Sequence, residues 1–314
     1  MKRAWLIGPA AAVVLLIALP FIGNNYILRI ATSMLMYVAL ASSWNYIGGF
    51  AGYPSFATAA FFGLGAYAGG ILQFKGVPMV AAWLIAGVIV TAFASAVGRA
   101  ILRLRGHYFA IASLVIADVL REVINGMTGV TGGGMGLNVP VMKIDVTTQA
   151  RLFYAAMLAV AALAVVTSAF LDRSRIGFGL RCIEQNEDVA LRLGVHTARY
   201  KTIAFALSSI YPALAGAVYA SWVSYIDPAE AFDVLFSIKP IIMALLGGAG
   251  TVAGPIVGAF IFQAMEELVW RNFLSVHLGL LGLIVVLLIL FLPQGLLRHR
   301  LLRARRRPLL VKAP

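Results

Sequence analysis

Charged residues are scarce in this chain. They make up 12% of its 314 residues, whereas about a quarter of a soluble domain is charged. Cysteine is nearly absent: Cys182 stands alone, which excludes an intrachain disulfide and a zinc site built on several cysteines. Apolar residues reach 61%, and they come in long blocks such as Phe153–Phe170 and Leu278–Leu292. This distribution excludes an ordinary soluble domain and predicts a membrane protein.

The signatures of catalysis and metal binding are missing too. No Gly-Lys-Ser/Thr motif ends a phosphate-binding loop, so the chain is predicted not to hydrolyse ATP by that route. The glycine-rich stretch Thr131–Gly136 lacks this lysine and is interpreted as an outer loop. The histidines stand far apart and without metal-site spacing, at His107, His196, His277 and His299. We therefore expect no enzyme, no metal site and no cofactor in this chain.

Long apolar segments recur along the whole chain, close to the roughly 20 residues that a membrane span needs. They cover 5–23, 27–47, 53–72, 78–98, 107–125, 151–171, 201–222, 238–262 and 276–293. The first is interpreted as an uncleaved span, because no small-residue cleavage site follows it. The sequence predicts an all-α polytopic membrane protein with about 8–10 transmembrane helices. One membrane domain would cover 1–298, and 299–314 would form a basic tail.

Basic residues predict which loops face the cytoplasm. The net charge of +13 could suggest nucleic acid, but seven basic residues crowd into 298–312, behind the last apolar block. Such a tail is typical of membrane topology and of contact with anionic lipid, so no nucleic-acid partner is expected. The loops 99–106 and 172–201 are also basic, whereas 223–236 carries three acids and no base. Both termini and the basic loops are predicted to be cytoplasmic, and 223–236 to lie outside.

Two stretches are expected to be broken inside the membrane. Nine full spans would leave the basic tail on the wrong side, and 238–262 contains a Gly/Pro-rich centre that breaks helices. Two half-helices that dip in and return would restore the count; a short extra span in 263–275 is the alternative. The Gly-Gly-rich stretch 48–70 is expected to be broken as well. Paired breaks favour a transport pathway, although small residues also serve close helix packing.

The residues expected to line or hinge such a pathway are Gly52, Tyr53, Ser55, Thr58, Gly247, Gly248, Gly250, Thr251 and Gly254. Ionisable residues within the spans are few. Asp118, Arg121 and Glu122 share one helix face, which a local salt bridge explains as well as a function does. No chain of acids crosses the membrane, which argues against a transporter driven by protons or sodium.

The stretch "LRCIEQNEDVALRLG", Leu180–Gly194, is conspicuously polar for this chain. It holds five charged residues, and apolar residues such as Ile183 and Val189 recur between them near helical spacing. Gly194 stands where a helix would end. The pattern predicts a short amphipathic helix in the cytoplasmic loop 172–201. It is either a solvated loop helix or a docking element for a soluble partner.

Several motifs resemble one family of membrane proteins. They are "GGFAGYPSFATAAFFGLGAY", "LRLRGHYFAIASLVIADVLRE", "TGGGMGL", "SRIGFGLRCIEQNEDVALRLGVHTARYKTIAFALSS" and "LLGGAGTVAGPIVGAF", in this order over about residues 40 to 262. Together they resemble the permeases of branched-chain amino-acid ABC importers, the LivM-like group. The resemblance implies a bacterial inner-membrane permease domain over 1–298 that moves such amino acids inward.

The resemblance also implies partners and a mode of coupling. The partners would be a second homologous permease subunit, two cytoplasmic ATP-binding subunits that hold the ATP, and a periplasmic solute-binding protein. A coupling helix would dock on an ATP-binding subunit through Arg181, Glu184, Glu187, Asp188, Val189, Ala190, Leu193 and Gly194. Val189, Ala190 and Leu193 are expected to enter the partner's groove, with Glu184, Glu187 and Arg192 at its rim.

Alternatives stay open for both the substrate and the class of protein. Related permeases move urea, short amides or aromatic acids, and nothing in this apolar sequence selects among them. A stand-alone channel or secondary transporter is the rival class, and it predicts midplane charges and no docking helix. An intramembrane enzyme would need acids or histidines clustered at one membrane face.

Overall fold

The computed structural model describes residues 19–20, 24–142 and 144–272, together with the single positions 279, 282, 295 and 296. Most of the predicted span 5–23, most of 276–293 and the whole of the tail 299–314 therefore lie outside the described residues.

The described chain is almost entirely helical, which confirms the all-α prediction. The longer helices are α1 (Asn25–Ile47), α2 (Thr58–Phe74), α3 (Met79–Ile101), α4 (His107–Gly126), α6 (Val146–Arg173), α7 (Arg175–Gln185), α9 (Thr197–Val223), α11 (Leu235–Gly247) and α12 (Gly254–Asn272). The short ones are α5 (Thr128–Thr131), α8 (Glu187–Arg192), α10 (Pro228–Ala231) and a 3-10 turn over Gly133–Met135. Two strands of two residues each, β1 (Leu137–Asn138) and β2 (Tyr225–Ile226), complete the described elements.

Four of these helices are long and apolar enough to cross a membrane: α1, α3, α6 and α9. Their lengths of 23, 23, 28 and 27 residues meet the requirement of roughly 20. Helix α4 has 20 residues and carries Asp118, Arg121 and Glu122. These three side chains are exposed and form the local salt bridges that the sequence allowed, with Arg121 at 3.5 Å from Asp118 and 3.8 Å from Glu122.

The core lies where α9 packs against α2, α3 and α1. Small residues let these helices approach closely, as membrane helix packing favours. A Cβ atom on Gly65 would lie 2.3 Å from the carbonyl oxygen of Ala213, and one on Gly216 would lie 2.1 Å from that of Phe62. Helices α2 and α9 therefore depend on glycine at both contacts, one from each helix.

The two breaks appear where the glycines predict them, with different bounds. Residues 48–57 are not helical, and the predicted span 53–72 begins as a helix only at Thr58. Gly52 there has φ +71°, a conformation that side-chain-bearing residues rarely adopt. The second stretch forms a helical hairpin of α11 and α12 around 248–253, and its second arm runs to Asn272 rather than ending near 262.

Loops predicted to share a membrane side do lie together. Strands β1 and β2 pair antiparallel, with Leu137 opposite Ile226 and Asn138 opposite Tyr225. This ladder joins the glycine-rich loop after α5 to the acidic 223–236 loop. At the other end of the bundle, Arg105 bonds Asp188, which joins the 99–106 loop to the 172–201 loop. We refer to these as the acidic end and the basic end.

Candidate coupling site and the two broken segments

The polar stretch at the basic end is not one helix but two. Ser174 caps α7 by accepting a hydrogen bond from the backbone N–H of Gly177, and Asn186 caps α8 by accepting one from Val189 at 3.1 Å. Asn186 has an extended backbone, with φ −163°, as is usual for a residue that caps the start of a helix. The single helix expected over 181–194 is therefore wrong, since the chain turns between Gln185 and Glu187.

A buried ionic anchor holds α8 against the bundle. The Lys201 ammonium, 3% exposed as a residue, donates to Glu187 Oε1 at 2.7 Å, to the Tyr53 hydroxyl at 3.0 Å and to the Leu102 carbonyl at 3.1 Å. The Tyr53 hydroxyl in turn donates to Glu187 Oε2. These four residues come from α8, α9, the first break and the end of α3. The anchor therefore ties the polar helix to three other parts of the chain.

Electrostatics keep the Glu187 carboxylate ionised. Burial raises the pKa of Glu187, but hydrogen bonds from Lys201 and Tyr53, together with the positive charges of Lys201 and Arg105, outweigh it and lower this pKa below its ordinary value. Arg105 lies on the outer side of the anchor, with Nε 3.7 Å from Glu187 Oε2 and Nη1 2.9 Å from Asp188 Oδ1. The Arg105 side chain is 56% exposed, so it pairs with the Glu187 carboxylate from the solvent side. Lys201 pairs with the same carboxylate from the buried side.

The exposed face of α8 differs from the expected one. Ala190 is 1% exposed and packs within its own chain, and Glu187 points inward as well, so the expected groove and rim positions of these two residues are wrong. Val189 and Leu193 are exposed, at 50% and 74%, as a docking surface requires. Leu191, which was not among the residues expected at the docking surface, joins them at 54%.

The remaining predicted coupling residues lie at the start of this surface. The Arg181 guanidinium lies 5.5 Å from the centre of the Phe50 ring and pairs with Asp172. Glu184 packs on Gly52, where an added Cβ would lie 3.2 Å from Glu184 Cγ. Gly194 ends the segment with φ +85°, which explains the glycine there. Thus α7 rests on the first break, while α8 projects Val189 and Leu191 outward.

The two broken segments meet through Asn45 at the end of α1. Its fully buried side-chain amide donates to the Thr251 carbonyl at 2.9 Å and accepts from the Gly250 backbone N–H at 2.8 Å. Gly49 of the first break lies directly against Gly250, since a Cβ on Gly49 would lie 2.6 Å from the Gly250 nitrogen. One side chain therefore fixes the tip of the hairpin to the first break.

Serine hydroxyls satisfy the backbone where the first break leaves it unpaired. Ser237 donates to the Phe56 carbonyl at 2.6 Å and accepts from the Ala59 N–H at 2.8 Å, and Ser113 accepts from the Phe56 N–H at 2.9 Å. Both serines are fully buried. Buried irregular backbone needs such partners, because its unpaired N–H and C=O groups are cut off from water. Neither residue was predictable from the sequence, since isolated serines in apolar helices give no pattern.

The predicted pathway residues fall into two contact groups. Tyr53 and Ser55 in the first break and Thr58 at the start of α2 are buried, at 7%, 3% and 4% exposure, and Gly52 contacts Glu184. The hairpin group packs on itself: a Cβ on Gly247 would lie 1.7 Å from the Gly254 carbonyl oxygen. Thr251 donates to the Gly248 carbonyl and accepts from the Gly254 N–H, which closes the tip.

A partly buried ion pair inside the hairpin is a further feature that the sequence analysis missed. Lys239 Nζ on α11 lies 2.6 Å from Glu266 Oε1 on α12, with side chains 21% and 19% exposed. The same ammonium lies 5.6 Å from the centre of the Tyr37 ring. The signal was available, because a lysine in an apolar segment needs a partner of opposite charge.

These features define a helical membrane protein. Its polar contacts link the helices α7 and α8, at the basic end, to the two broken segments. A family model described as "Branched-chain amino acid transport system / permease component" matches residues 26–292. The chain belongs to this family of transport permeases, as the sequence resemblance predicted.

Individual proteins similar to this chain are transport permeases as well. The high-affinity branched-chain amino acid transport system permease protein LivM of Escherichia coli K12 is 26% identical over 91% of this chain and 73% of its own length. Its counterpart LivH of Salmonella typhimurium is 26% identical over 48% of this chain and 47% of its own. The autoinducer 2 import system permease protein LsrC of Yersinia pestis is 31% identical over 37% and 36%. No solved structure matches the chain.

Proposed function

We propose that this chain is the membrane subunit of an importer that brings branched-chain amino acids, or a similar small polar solute, into a bacterial cell across its inner membrane. ATP is hydrolysed by two separate cytoplasmic subunits. A second homologous permease completes the membrane part, and a periplasmic binding protein delivers the solute. The chain itself catalyses no reaction.

The observation that carries this proposal is that α8 exposes apolar side chains while a buried ion pair fixes the helix to the bundle. Val189, Leu191 and Leu193 project from α8 at the basic end, although water would favour their burial. The Glu187–Lys201 anchor holds the same helix in place. A helix that merely covered its own loop would bury these side chains, whereas one that docks on a soluble partner needs them presented at a fixed position.

The contacts supply a route from α8 to the breaks. Glu187 contacts Tyr53 of the first break, and Asn45 joins that break to the hairpin tip at Gly250. A displacement of α8 by an ATP-binding subunit would therefore reach both broken segments through direct hydrogen bonds. The hypothesis is that α8 and the two breaks move together between two arrangements, and transport measurements can test it.

Branched-chain amino acids are the favoured substrate class because the likeness to LivM extends over 91% of this chain. The likeness to LsrC, whose name states autoinducer 2 import, extends over 37%. Urea, short amides and aromatic acids are the alternatives within the same family. A stand-alone channel or secondary transporter would move solute through the purified chain without any ATP-binding subunit.

The test replaces Leu193 with aspartate in the reconstituted complex. Burying an unpaired charge in a docking interface costs several kcal/mol, so substrate-stimulated ATP hydrolysis and leucine uptake should both fall at least about tenfold. Met135→Asp is the matched control, since Met135 is 87% exposed at the acidic end and should retain both activities. Full coupling in Leu193→Asp would contradict the proposed docking site.

Orientation is tested separately with single cysteines in a variant that lacks Cys182. A cysteine at Leu193 should react with a membrane-impermeant reagent only from the cytoplasm, and one at Met135 only from outside. The reverse labelling would refute the proposed topology, in which both termini are cytoplasmic.

A further inference from the structure

A cleft at the basic end is lined mainly by positive charge. It encloses about 780 Å³ between the loop after α3 and the beginning of α9, and its lining includes Arg99, Arg103, Arg105, Arg199 and Lys201 against a single acid, Glu187. Arg105 and Lys201 are occupied by Glu187 and Asp188. The remaining three arginines make the cleft strongly cationic.

Arg99, Arg103 and Arg199 form no ion pair within the part of the chain that the structure describes. All twelve acidic residues of the sequence lie in the described part of the chain, and none of the ion pairs found there involves these arginines. Helix α9 also begins in this cleft, at Thr197, and no side chain caps its first backbone N–H groups. Free donors and the positive end of a 27-residue helix add to the attraction for an anion.

An exposed apolar stripe leads along α3 to this cleft. Val80, Leu84 and Val88 follow one another at intervals of four residues and are 58%, 60% and 70% exposed. Ala92 and Ala96 continue the exposed row to Arg99. Val88 lies about 16 Å from Arg99 along the helix axis, which is about half of the roughly 30 Å hydrocarbon core. The stripe thus offers an acyl chain of one leaflet a path that ends at the arginines.

We propose that this cleft binds the phosphate group of an anionic phospholipid, whose acyl chains lie along the α3 stripe. The ligand joins the α3–α4 loop to the beginning of α9, next to the Lys201 anchor, and therefore stabilises the base of α8. Basic clefts between membrane helices on the cytoplasmic side suit such head groups. This site is independent of the docking surface at Val189, Leu191 and Leu193.

The experiment measures binding of short-chain phosphatidylglycerol to the purified chain in detergent, by native mass spectrometry and by the shift of the unfolding temperature. Arg99→Gln/Arg103→Gln should weaken binding about 25-fold, at roughly fivefold for each arginine near an anionic head group. Arg175→Gln, at the same end but outside the cleft, is the matched control and should bind like the wild type. Arg199→Gln tests the other wall with an expected loss of about fivefold.

Three results would overturn the proposal. Phosphatidylcholine binding as tightly as phosphatidylglycerol would remove the role of charge. Glycerol phosphate protecting as well as the lipid would assign the cleft to a free phosphate and leave the stripe without a role. Loss of the ATP-binding subunit from the double variant, with unchanged lipid binding, would assign the arginines to the partner protein instead.

Discussion

Replacing Lys201 with methionine should destabilise the chain more than any change at the neighbouring exposed arginine. The substitution keeps the length of the side chain but leaves the Glu187 carboxylate, 13% exposed, without its main counterion. Breaking a buried pair by removing one partner typically costs about 3–5 kcal/mol, because a desolvated charge stays behind. Tyr53 and Arg105 still contact Glu187, so we expect the lower end, about 3 kcal/mol.

The assay is the free energy of unfolding of the purified chain in mixed micelles. Arg105→Gln is the control: this side chain is 56% exposed, and exposed ion pairs contribute about 0–1 kcal/mol. The double variant Lys201→Met/Glu187→Gln should recover part of the loss, since it removes both charges. Equal effects of Lys201→Met and Arg105→Gln, each below about 1 kcal/mol, would refute the anchor as a buried interaction.

Three further predictions follow from named contacts. Because the folded-state pKa of Glu187 is lowered from 4.5, the stability difference between wild type and Glu187→Gln should stay constant above about pH 5 and decline as the pH falls below 4.5. Gly250→Ala should cost about 1–2 kcal/mol and reduce uptake, since φ is +76° there, whereas Gly129→Ala, with open space around it, should be neutral. Lys239→Met should destabilise the hairpin by about 3 kcal/mol, and Lys239→Met/Glu266→Met should restore most of that loss; additive losses in unfolding titrations would contradict a coupled pair.

Features that depend on local residue properties were predictable from the sequence. Apolar length predicts membrane helices, and four of those described are long enough to cross a membrane. The stretches 48–70 and 238–262, rich in glycine with some proline, predict the breaks observed at 48–57 and 248–253, because glycine and proline act on their own backbone. The basic residues of 99–106 and 172–201 predict that these two loops share a membrane side, and Arg105 of one does bond Asp188 of the other.

Features that depend on tertiary contacts were not predictable in this way. The apolar residues of "EDVALRLG" suggest one docking face, yet Ala190 is buried while its neighbours Val189 and Leu191 are exposed. The reason is that Glu187 turns toward Lys201, fourteen residues later, and this contact sets the rotation of the whole short helix. The local signal was a lysine in the first turns of an apolar span, which requires a nearby acid. Nothing local indicates that Ser237 would pair with the backbone of Phe56.

Two polar clusters inside this apolar protein join a non-helical segment or a short helix to a long helix. Lys201 on α9 holds α8 and the first break, and Asn45 on α1 holds the hairpin tip. The hydrophobic effect contributes little to helix association inside a membrane, since lipid is as apolar as the core. Directional bonds to otherwise unpaired backbone or charged groups therefore add specific attachment between the segments that they join. In the proposed importer, these bonds would pass a displacement of α8 to the breaks, while the long helices would serve as the frame.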